Sequence, residues 1–519
     1  MSYGLFDIIG PIMHGPSSNH TAGAGRIGYL ARGIMGGCPK DITYLFHPHL
    51  LTVFSGHRTH IALTAGMLGY REYDDAFNGS LTLAREQGVT LSYASAGDHV
   101  DRNTMRIEGE VNGVSWSING ISVGAGNIVV DRINGVPVWL DANGHLYTYI
   151  TRAGADLSGA VALAEGLGTL RVFAGEGLFL IESRDELSGS DLAAIEGALG
   201  GAVVFRSFTP SLYPFAEKDG APLFTSFEGL VEEAGRTDLL DAVLRYEEKR
   251  SRRSRADIEA EMLRIVRIIA RSMARGLEGN NPLVGGFCSG SDGKMMADHA
   301  GDSGSLLGYT YNMAVARALA MSEVSGSAGI VAAVPTAGSA GAVPGALFQA
   351  AERYSKTEAD LAHAFLIAAA VGAIIGNTAV FSGSVGGCQA EIGIGAAMGA
   401  GACVWLAGGS AEAAVHAAAL ALKNLLGLTC DCPAPPVEVP CIKRNAMGVS
   451  AAYMGCEMAL AGVRSVIPPD DVVIALADVQ KRLPAELKSA EAGGLGAAPY
   501  AKVLQRRWRE RLEILSAQI

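Results

Sequence analysis

The sequence predicts an α+β protein of three parts: a mixed α/β domain over residues 1–140, a βαββαβ region over 141–215, and an all-helical, Ala/Gly-rich domain over 216–519. The length of 519 residues exceeds what one hydrophobic core supports. Strand-like alternation occurs in the first 210 residues, whereas later segments are apolar over helical lengths. Hydrophobic residues make up 49% of the chain and charged residues 18%, a balance typical of a well-buried globular protein.

Both helix and strand patterns occur in the N-terminal part. Residues 23–32 and 59–68 have the apolar spacing of helices, and residues 113–130 alternate as strands joined by glycine-containing turns. This part is therefore predicted to be a mixed α/β domain.

The middle part has a clearer order of elements. Strands are predicted at 146–151, 169–174, 177–182 and 202–208, with helices at 156–166 and 190–199. This βαββαβ order resembles an ACT regulatory domain, although a structural or dimerising spacer can have the same layout. Residues 210–225 contain Pro214, Gly220 and Pro222, which predict a linker.

The C-terminal part is predicted to be a compact helical domain and not a membrane bundle. Its longest apolar run, residues 361–376, contains His363 and is rich in alanine and glycine. The run is shorter than a membrane span, and small residues allow helices to approach closely around a central site. We therefore expect no membrane partner.

Charge and the N-terminal residues narrow the class of protein further. The net charge of -11 argues against nucleic acid as a partner, because phosphate binding needs a basic face. Residues 1–12 lack the basic start of a secretory signal and run into a polar segment. We expect a cytoplasmic protein, in which cysteines stay reduced and are free for metal binding or catalysis.

The cysteines are concentrated near the C-terminal end of the helical part. Five of the eight lie between positions 388 and 441, and none forms a C-x-x-C pair, which excludes zinc-ribbon and thioredoxin-type motifs. Cys388 follows two glycines, which let the backbone approach a bulky inorganic group, and Cys430 and Cys441 flank a proline-rich loop. Spacing alone leaves open whether these cysteines bind iron and sulfur or pack as small apolar residues.

Several motifs resemble the iron–sulfur L-serine dehydratases. Residues 382–393, 424–431 and 437–445 are similar to the three cluster-ligand motifs of that family, and residues 331–341 to the segment that lines its cluster pocket. Residues 6–11 and 15–23 are similar to the opening motif of the family's β part. The sequence is therefore identified as a member of this family, with the β and α parts fused.

The resemblance implies a 4Fe–4S cluster held by Cys388, Cys430 and Cys441, with one iron left open for substrate. It implies conversion of L-serine to pyruvate and ammonia, with the open iron as a Lewis acid on the hydroxyl and a base removing the Cα proton. We expect no pyridoxal phosphate, because neither a Schiff-base lysine segment nor a phosphate cradle is recognisable. The other cysteines are assigned to packing, except Cys432, which stands where the family has proline and could be a spare thiol near the cluster.

His57 and His20 are the candidate bases, because histidine titrates near neutral pH. The alternative for His57 is a structural role in a loop that starts a helix. The predicted substrate-binding residues carry polar side chains or backbone groups suited to an anionic substrate. Some of them can instead cap a helix, and Asn445 can orient the cluster loop. They are Ser17, Ser18, Asn19, Thr21, Arg58, Thr336, Gly338 and Asn445.

Three departures from the family pattern put the substrate in question. Asn19 replaces a serine, Arg58 and His60 replace glycine and aspartate beside His57, and residues 433–436 replace a glycine-containing loop. A guanidinium in the pocket would favour a substrate with a second anionic group. One alternative to an L-serine dehydratase is a related lyase that acts on such an amino acid. Another is a non-catalytic iron–sulfur protein that senses an amino acid and has Cys432 as a fourth cluster ligand. We expect a homodimer.

Overall fold

The computed structural model of the chain describes residues 3–212, 222–488 and 493–517. Two compact units are present, one formed by Asn19–Glu217 and the other by Met1–Ser18 together with Lys218–Ile519. Most of the expected linker over 210–225, including Pro214 and Gly220, lies outside the described residues.

A six-stranded sheet forms the larger part of the Asn19–Glu217 unit. Its strands lie side by side in the order Thr90–Ser95, Asp41–Phe46, Thr104–Val111, Val114–Gly124, Asn127–Ile133 and Val136–Leu140. The first two pair in parallel and the other neighbours are antiparallel. The α-helices before and among these strands are Ala24–Met35, Pro48–Val53, Thr59–Leu68 and Ser80–Glu86.

Two of these helices pack backbone to backbone because glycines face each other. A Cβ at Gly66 would lie 2.1 Å from the carbonyl oxygen of Gly25, and one at Gly28 would lie 2.3 Å from that of Leu63. Helix Thr59–Leu68 has the predicted bounds, and the helix predicted over 23–32 spans Ala24–Met35. The strands within 113–130 are also observed, whereas the sequence analysis did not identify Asp41–Phe46 or Thr90–Ser95.

A four-stranded antiparallel sheet completes this unit. Its strands lie in the order Val203–Thr209, His145–Thr151, Leu178–Ser183 and Arg171–Gly175, and the helices are Ser158–Gly166 and Gly189–Leu199. Tyr149 and Phe179 of the sheet share a buried core with Ala160 and Ile195 of the helices. The predicted βαββαβ order of elements is therefore observed.

The other unit is helical apart from one short strand pair. Strand Ile12–His14 pairs antiparallel with Ile330–Ala332, so the start of the chain belongs to the unit formed by its C-terminal part. The α-helices of this unit within the described residues are Leu5–Ile8, Phe227–Arg236, Leu239–Ser251, Arg255–Leu277, Asp292–Ala300, Gly308–Gly326, Ala342–Arg353, Glu358–Gly376, Gly383–Gly386, Ile392–Leu406, Ala411–Lys423, Cys441–Leu460, Pro469–Arg482 and Ala501–Ala517.

Small residues let the central helices of this unit pack closely. A Cβ at Gly455 would lie 2.7 Å from the carbonyl oxygen of Ala417 on the neighbouring helix. Helix Glu358–Gly376 is long and apolar enough to span a membrane, and 78% of its most apolar window is buried within the protein. Its apolar character is thus accounted for by packing in the core.

Candidate active site

Four cysteine side chains meet in the helical unit: the thiol group, formed by Cys388, Cys430, Cys432 and Cys441. The Sγ atoms of Cys432 and Cys441 lie 3.4 Å apart. Cys388 contacts Cys430, and Cys430 contacts Cys432, through their thiols. The structure therefore brings together the three cysteines that the resemblance implies and adds Cys432, whose position the sequence left open.

Local backbone features place Cys388 and Cys430 side by side. Gly387, with φ of 79°, precedes Cys388, and a Cβ there would lie 2.7 Å from the carbonyl oxygen of Leu428. The Gln389 N–H donates to the same carbonyl oxygen at 3.0 Å. Glycine therefore allows the segment that carries Cys388 to lie against the segment that carries Cys430.

A helix N-terminus and an arginine lie next to the thiols. Cys441 is the first residue of helix Cys441–Leu460, whose N-terminal dipole favours a thiolate. In the first turn of this helix, Arg444 Nη1 lies 3.4 Å from Cys388 Sγ, and Nη2 donates to Asp431 Oδ1 at 2.7 Å. These groups can offset part of the charge of several thiolates.

The thiol group has the chemistry expected of iron–sulfur ligands. Contact with Cys430 and burial raise the pKa of Cys388 well above its ordinary value. A bound metal favours the thiolate form of a cysteine ligand. Clustered soft sulfur donors suit iron–sulfur ligation. In residues 3–212, 222–488 and 493–517, no group of three or more histidine, cysteine or acidic side chains is arranged to hold a metal ion. The fit to the implied cluster rests on the chemistry of the clustered thiol donors.

Asn445 ties the first turn of helix Cys441–Leu460 to the segment over residues 338–342. Asn445 is fully buried; its Oδ1 accepts the N–H groups of Gly341 and Ala342, both at 3.0 Å. Its Nδ2 donates to the carbonyl oxygens of Gly338 at 2.8 Å and of Cys441 at 3.1 Å. Because both ends of the amide are occupied, this geometry favours the orienting role for Asn445.

Glu438 fixes the loop that precedes Cys441. Its buried carboxylate accepts the N–H groups of Phe287 at 2.7 Å and of Gly286 at 3.2 Å, and also those of Gly285 and Cys288. Four N–H donors to one carboxylate form a backbone anion site occupied by the protein's own side chain. The segment 285–288 is thereby tied to the residues just before Cys441.

The sequence analysis missed Glu391, a carboxyl group beside the thiol group. Thr336 Oγ1 donates to Glu391 Oε1 at 2.7 Å, and burial raises the pKa of Glu391. A Cβ at Gly338 or Gly383 would lie 2.9 Å or 2.5 Å from this carboxylate, so both glycines give it room. A charged residue within the apolar, glycine-rich motif over 382–393 was the signal that could have identified it.

The two candidate bases are in direct contact in the Asn19–Glu217 unit. The Nδ1 atoms of His20 and His57 lie 2.8 Å apart, and their ring planes are inclined by 17°. The other ring nitrogen of His20, Nε2, lies 3.1 Å from Asn103 Oδ1. Burial lowers the pKa of both histidines, and for His57 the neighbouring His20 adds to the effect, so the pair is neutral near pH 7.

The predicted substrate-binding residues at 17–21 are largely buried. Residues 18–23 form a π-helix, and Thr21 Oγ1 donates to the carbonyl oxygen of His57 at 2.7 Å. Asn19 Oδ1 is buried and has no hydrogen-bond partner within the described part of the chain. Thr21 thus positions His57, and Asn19 retains an unused acceptor.

Arg58 is a half-buried cation held by a neutral partner. Its Nη2 donates to Asn78 Oδ1 at 3.0 Å, and burial lowers its pKa to about 10. Among the described residues no carboxylate pairs with it. His60 instead packs against Phe54 and Tyr93, with ring centroids 5.0 and 6.1 Å away.

Comparison with known proteins identifies the chain's relatives. The family model described as "Serine dehydratase alpha chain" matches residues 235–496. The "Probable L-serine dehydratase, alpha chain" of Bacillus subtilis is 37% identical over 287 residues, which cover 55% of this chain and 95% of that protein. The "L-serine dehydratase, alpha chain" of Peptoniphilus asaccharolyticus is 35% identical over 52% of this chain and 91% of its own length.

A beta-chain relative matches part of the N-terminal half. The "Probable L-serine dehydratase, beta chain" of Bacillus subtilis is 34% identical over 140 residues, 27% of this chain and 64% of that protein. The family expected from the sequence motifs is thus confirmed. The chain belongs to the L-serine dehydratase family and is an enzyme of the serine dehydratase type, with beta-chain-like and alpha-chain-like sequence on one polypeptide.

Proposed function

We propose that the protein converts L-serine to pyruvate and ammonia with a 4Fe–4S cluster bound by Cys388, Cys430 and Cys441. The observation that carries the proposal is the meeting of these thiols in the helical unit, with Arg444 against Cys388. When bound, such a cluster supplies an iron with an open position that acts as a Lewis acid on the serine hydroxyl. The names of the curated relatives agree with this reaction.

The chain's own residues then have distinct tasks at the thiol group. Arg444 and the N-terminus of helix Cys441–Leu460 offset the negative charge of the thiolates. Asn445 and Glu438 hold the loop that presents Cys441. Thr336 and Gly338, which border Glu391, remain proposed substrate contacts.

His57 is the proposed base, and His20 is its partner. Loss of the Cα proton and of hydroxide converts serine to an enamine, which tautomerises to an imine, and water releases ammonia to leave pyruvate. A neutral imidazole can accept the Cα proton, and both histidines are held neutral by burial. Ser17, Ser18, Asn19 and Thr21 are proposed to serve the substrate carboxylate or to support the histidines.

Iron analysis tests the cluster. Protein purified without oxygen should carry about four irons per chain. Replacement of Cys388, Cys430 or Cys441 by serine should each abolish iron binding, whereas Cys403→Ser, in the core of helix Ile392–Leu406, should not. Full iron content in all three ligand variants would refute the assignment.

Arg58 favours a second candidate substrate. The half-buried guanidinium is held by one neutral side chain, and a carboxylate of a bound substrate would provide it with an anionic partner. The candidate is a β-hydroxy amino acid with a second carboxylate, such as 3-hydroxyaspartate. Comparison of serine with this analogue, without oxygen, separates the two substrates.

We also propose that the chain is divided into a β-type domain over 1–140, an ACT-like region over 141–215 and an α-type domain over 216–519. The protein is proposed to be a cytoplasmic homodimer. The strand order of the four-stranded sheet and its two helices support the ACT-like assignment. Because the chain is an enzyme of this family, a non-catalytic sensor is not proposed.

A further inference from the structure

We infer that Asn103 is a positioning residue that sets the protonation pattern of the His20–His57 pair and so leaves Nε2 of His57 without a proton. Asn103, His20 and His57 lie in one row, with 3.1 Å between Asn103 Oδ1 and His20 Nε2 and 2.8 Å between the two Nδ1 atoms. The inference rests on the proposed role of His57 as the base.

Counting protons along the row gives a single arrangement for the neutral pair. An amide oxygen can only accept, so Nε2 of His20 carries a proton and donates it to Asn103 Oδ1. A neutral imidazole has one N–H, so Nδ1 of His20 is an acceptor. The 2.8 Å contact then requires that Nδ1 of His57 donates, which leaves Nε2 of His57 as the unprotonated nitrogen.

The two rings are near-parallel, with planes inclined by 17° and centroids 4.7 Å apart. Burial favours the neutral state of each ring, in which this count applies.

The backbone holds Asn103 in place for this task. Its N–H donates to Asp101 Oδ1 at 2.8 Å, and its carbonyl oxygen accepts the Ser122 N–H at 3.4 Å from the neighbouring strand. Asn103 directly precedes strand Thr104–Val111 and is 9% exposed. The side chain that directs the histidines is therefore anchored on the sheet.

The matching control is Asn119, a second asparagine of the same unit. Asn119 lies on strand Val114–Gly124, is 8% exposed, and donates to Asp131 Oδ1 at 2.7 Å. Replacement of either asparagine by leucine removes a buried amide from the same sheet. Only Asn103→Leu should change the histidine pair.

NMR of holoenzyme prepared without oxygen and labelled with 15N-histidine reads the protonation pattern directly. His57, assigned from His57→Asn, should show a protonated Nδ1 and an unprotonated Nε2. Asn103→Leu should mix the two patterns, whereas Asn103→Asp, which keeps an acceptor, and Asn119→Leu should retain the original one. A protonated Nε2 on His57 in the unaltered enzyme would mean that the Asn103 amide donates, and would overturn the inference.

Kinetics give an independent readout. Asn103→Leu should lower kcat by about tenfold, the effect of losing one buried hydrogen bond, with KM little changed. Asn103→Asp should restore most of the rate. In a His57→Asn background, Asn103→Leu should have no further effect, because it acts through His57. Equal losses in both backgrounds would assign Asn103 a merely structural role.

The NMR result does not depend on turnover, so it separates this inference from a failure of the proposed reaction.

Discussion

The Sγ atom of Cys432 lies 3.4 Å from that of Cys441. Cys441 is one of the proposed cluster ligands, so the Cys432 thiol that contacts it is placed to react with the same sulfur atom. When iron is absent, both thiols are available to react with each other.

The first prediction is that iron-free protein forms a Cys432–Cys441 disulfide in air. Two thiols lose two protons and two electrons, and molecular oxygen is reduced to hydrogen peroxide. Peptide mass spectrometry without reduction should find the linked peptides, and Cys432→Ser should leave the Cys441 thiol free. The buried pair Cys403 and Cys456 should stay reduced in both proteins. A Cys441 that remains reduced in the unaltered protein would contradict the prediction.

The second prediction concerns the base. His57→Asn should lower kcat on serine by roughly two to four orders of magnitude, the usual effect of a positioned base. Iron content should be unchanged, because His57 belongs to the other compact unit and not to the thiol group. His363→Asn, which alters a histidine bonded to Glu259, is the control and should retain the rate. Full activity of His57→Asn would remove His57 from the mechanism.

The third prediction concerns Arg58, whose φ of 59° is a left-handed conformation that suits glycine or asparagine. Arg58→Gly and Arg58→Asn should both raise the free energy of unfolding, by about 0.5–1 kcal/mol for the glycine, because the backbone strain of a left-handed arginine is removed. Urea unfolding measures this change.

The same variants test the substrate. If Arg58 pairs with a second carboxylate, both changes should weaken binding of 3-hydroxyaspartate by about 1.5–3 kcal/mol and leave serine nearly unaffected. Equal weakening for both substrates would show that Arg58 supports the site without reading the second carboxylate.

The fourth prediction follows from Glu247, whose buried carboxyl accepts the Leu5 N–H at 2.8 Å. Burial raises the pKa of Glu247 to about 7 from an ordinary value of 4.5. Between these pH values the folded protein holds a proton that the unfolded chain has lost, so stability should fall as pH rises through this window. The total loss is on the order of 3 kcal/mol.

Unfolding by urea at pH 5 and pH 8, without oxygen, measures this fall. Glu247→Gln is neutral at both pH values and should lose less stability between them than the unaltered protein. Glu457→Gln changes an exposed glutamate and should behave like the unaltered protein. An equal loss in Glu247→Gln would place the pH dependence elsewhere.

Local periodicity was enough to predict helix Thr59–Leu68 and the βαββαβ order, because their apolar spacing is regular. The pairing of strand Ile12–His14 with Ile330–Ala332 could not be predicted, since it joins residues more than three hundred positions apart. At the site, motif resemblance identified the cysteines. Asn103 was missed because its role arises from a neighbour that the fold brings in, and no local pattern marks it. Glu391 was missed although it is a charged residue within an apolar, glycine-rich motif, because its contact with Thr336 arises only in the fold.

The pairing of Ile12–His14 with Ile330–Ala332 makes the Asn19–Glu217 unit an insertion within the other unit. During synthesis, residues 3–18 can pair with their partners only after most of the chain has been made. Folding of the helical unit therefore cannot be completed from its N-terminal end while the chain is still being synthesised. Expressed as two fragments, residues 1–217 and 218–519 should remain associated through this strand pair and the Leu5–Glu247 contact.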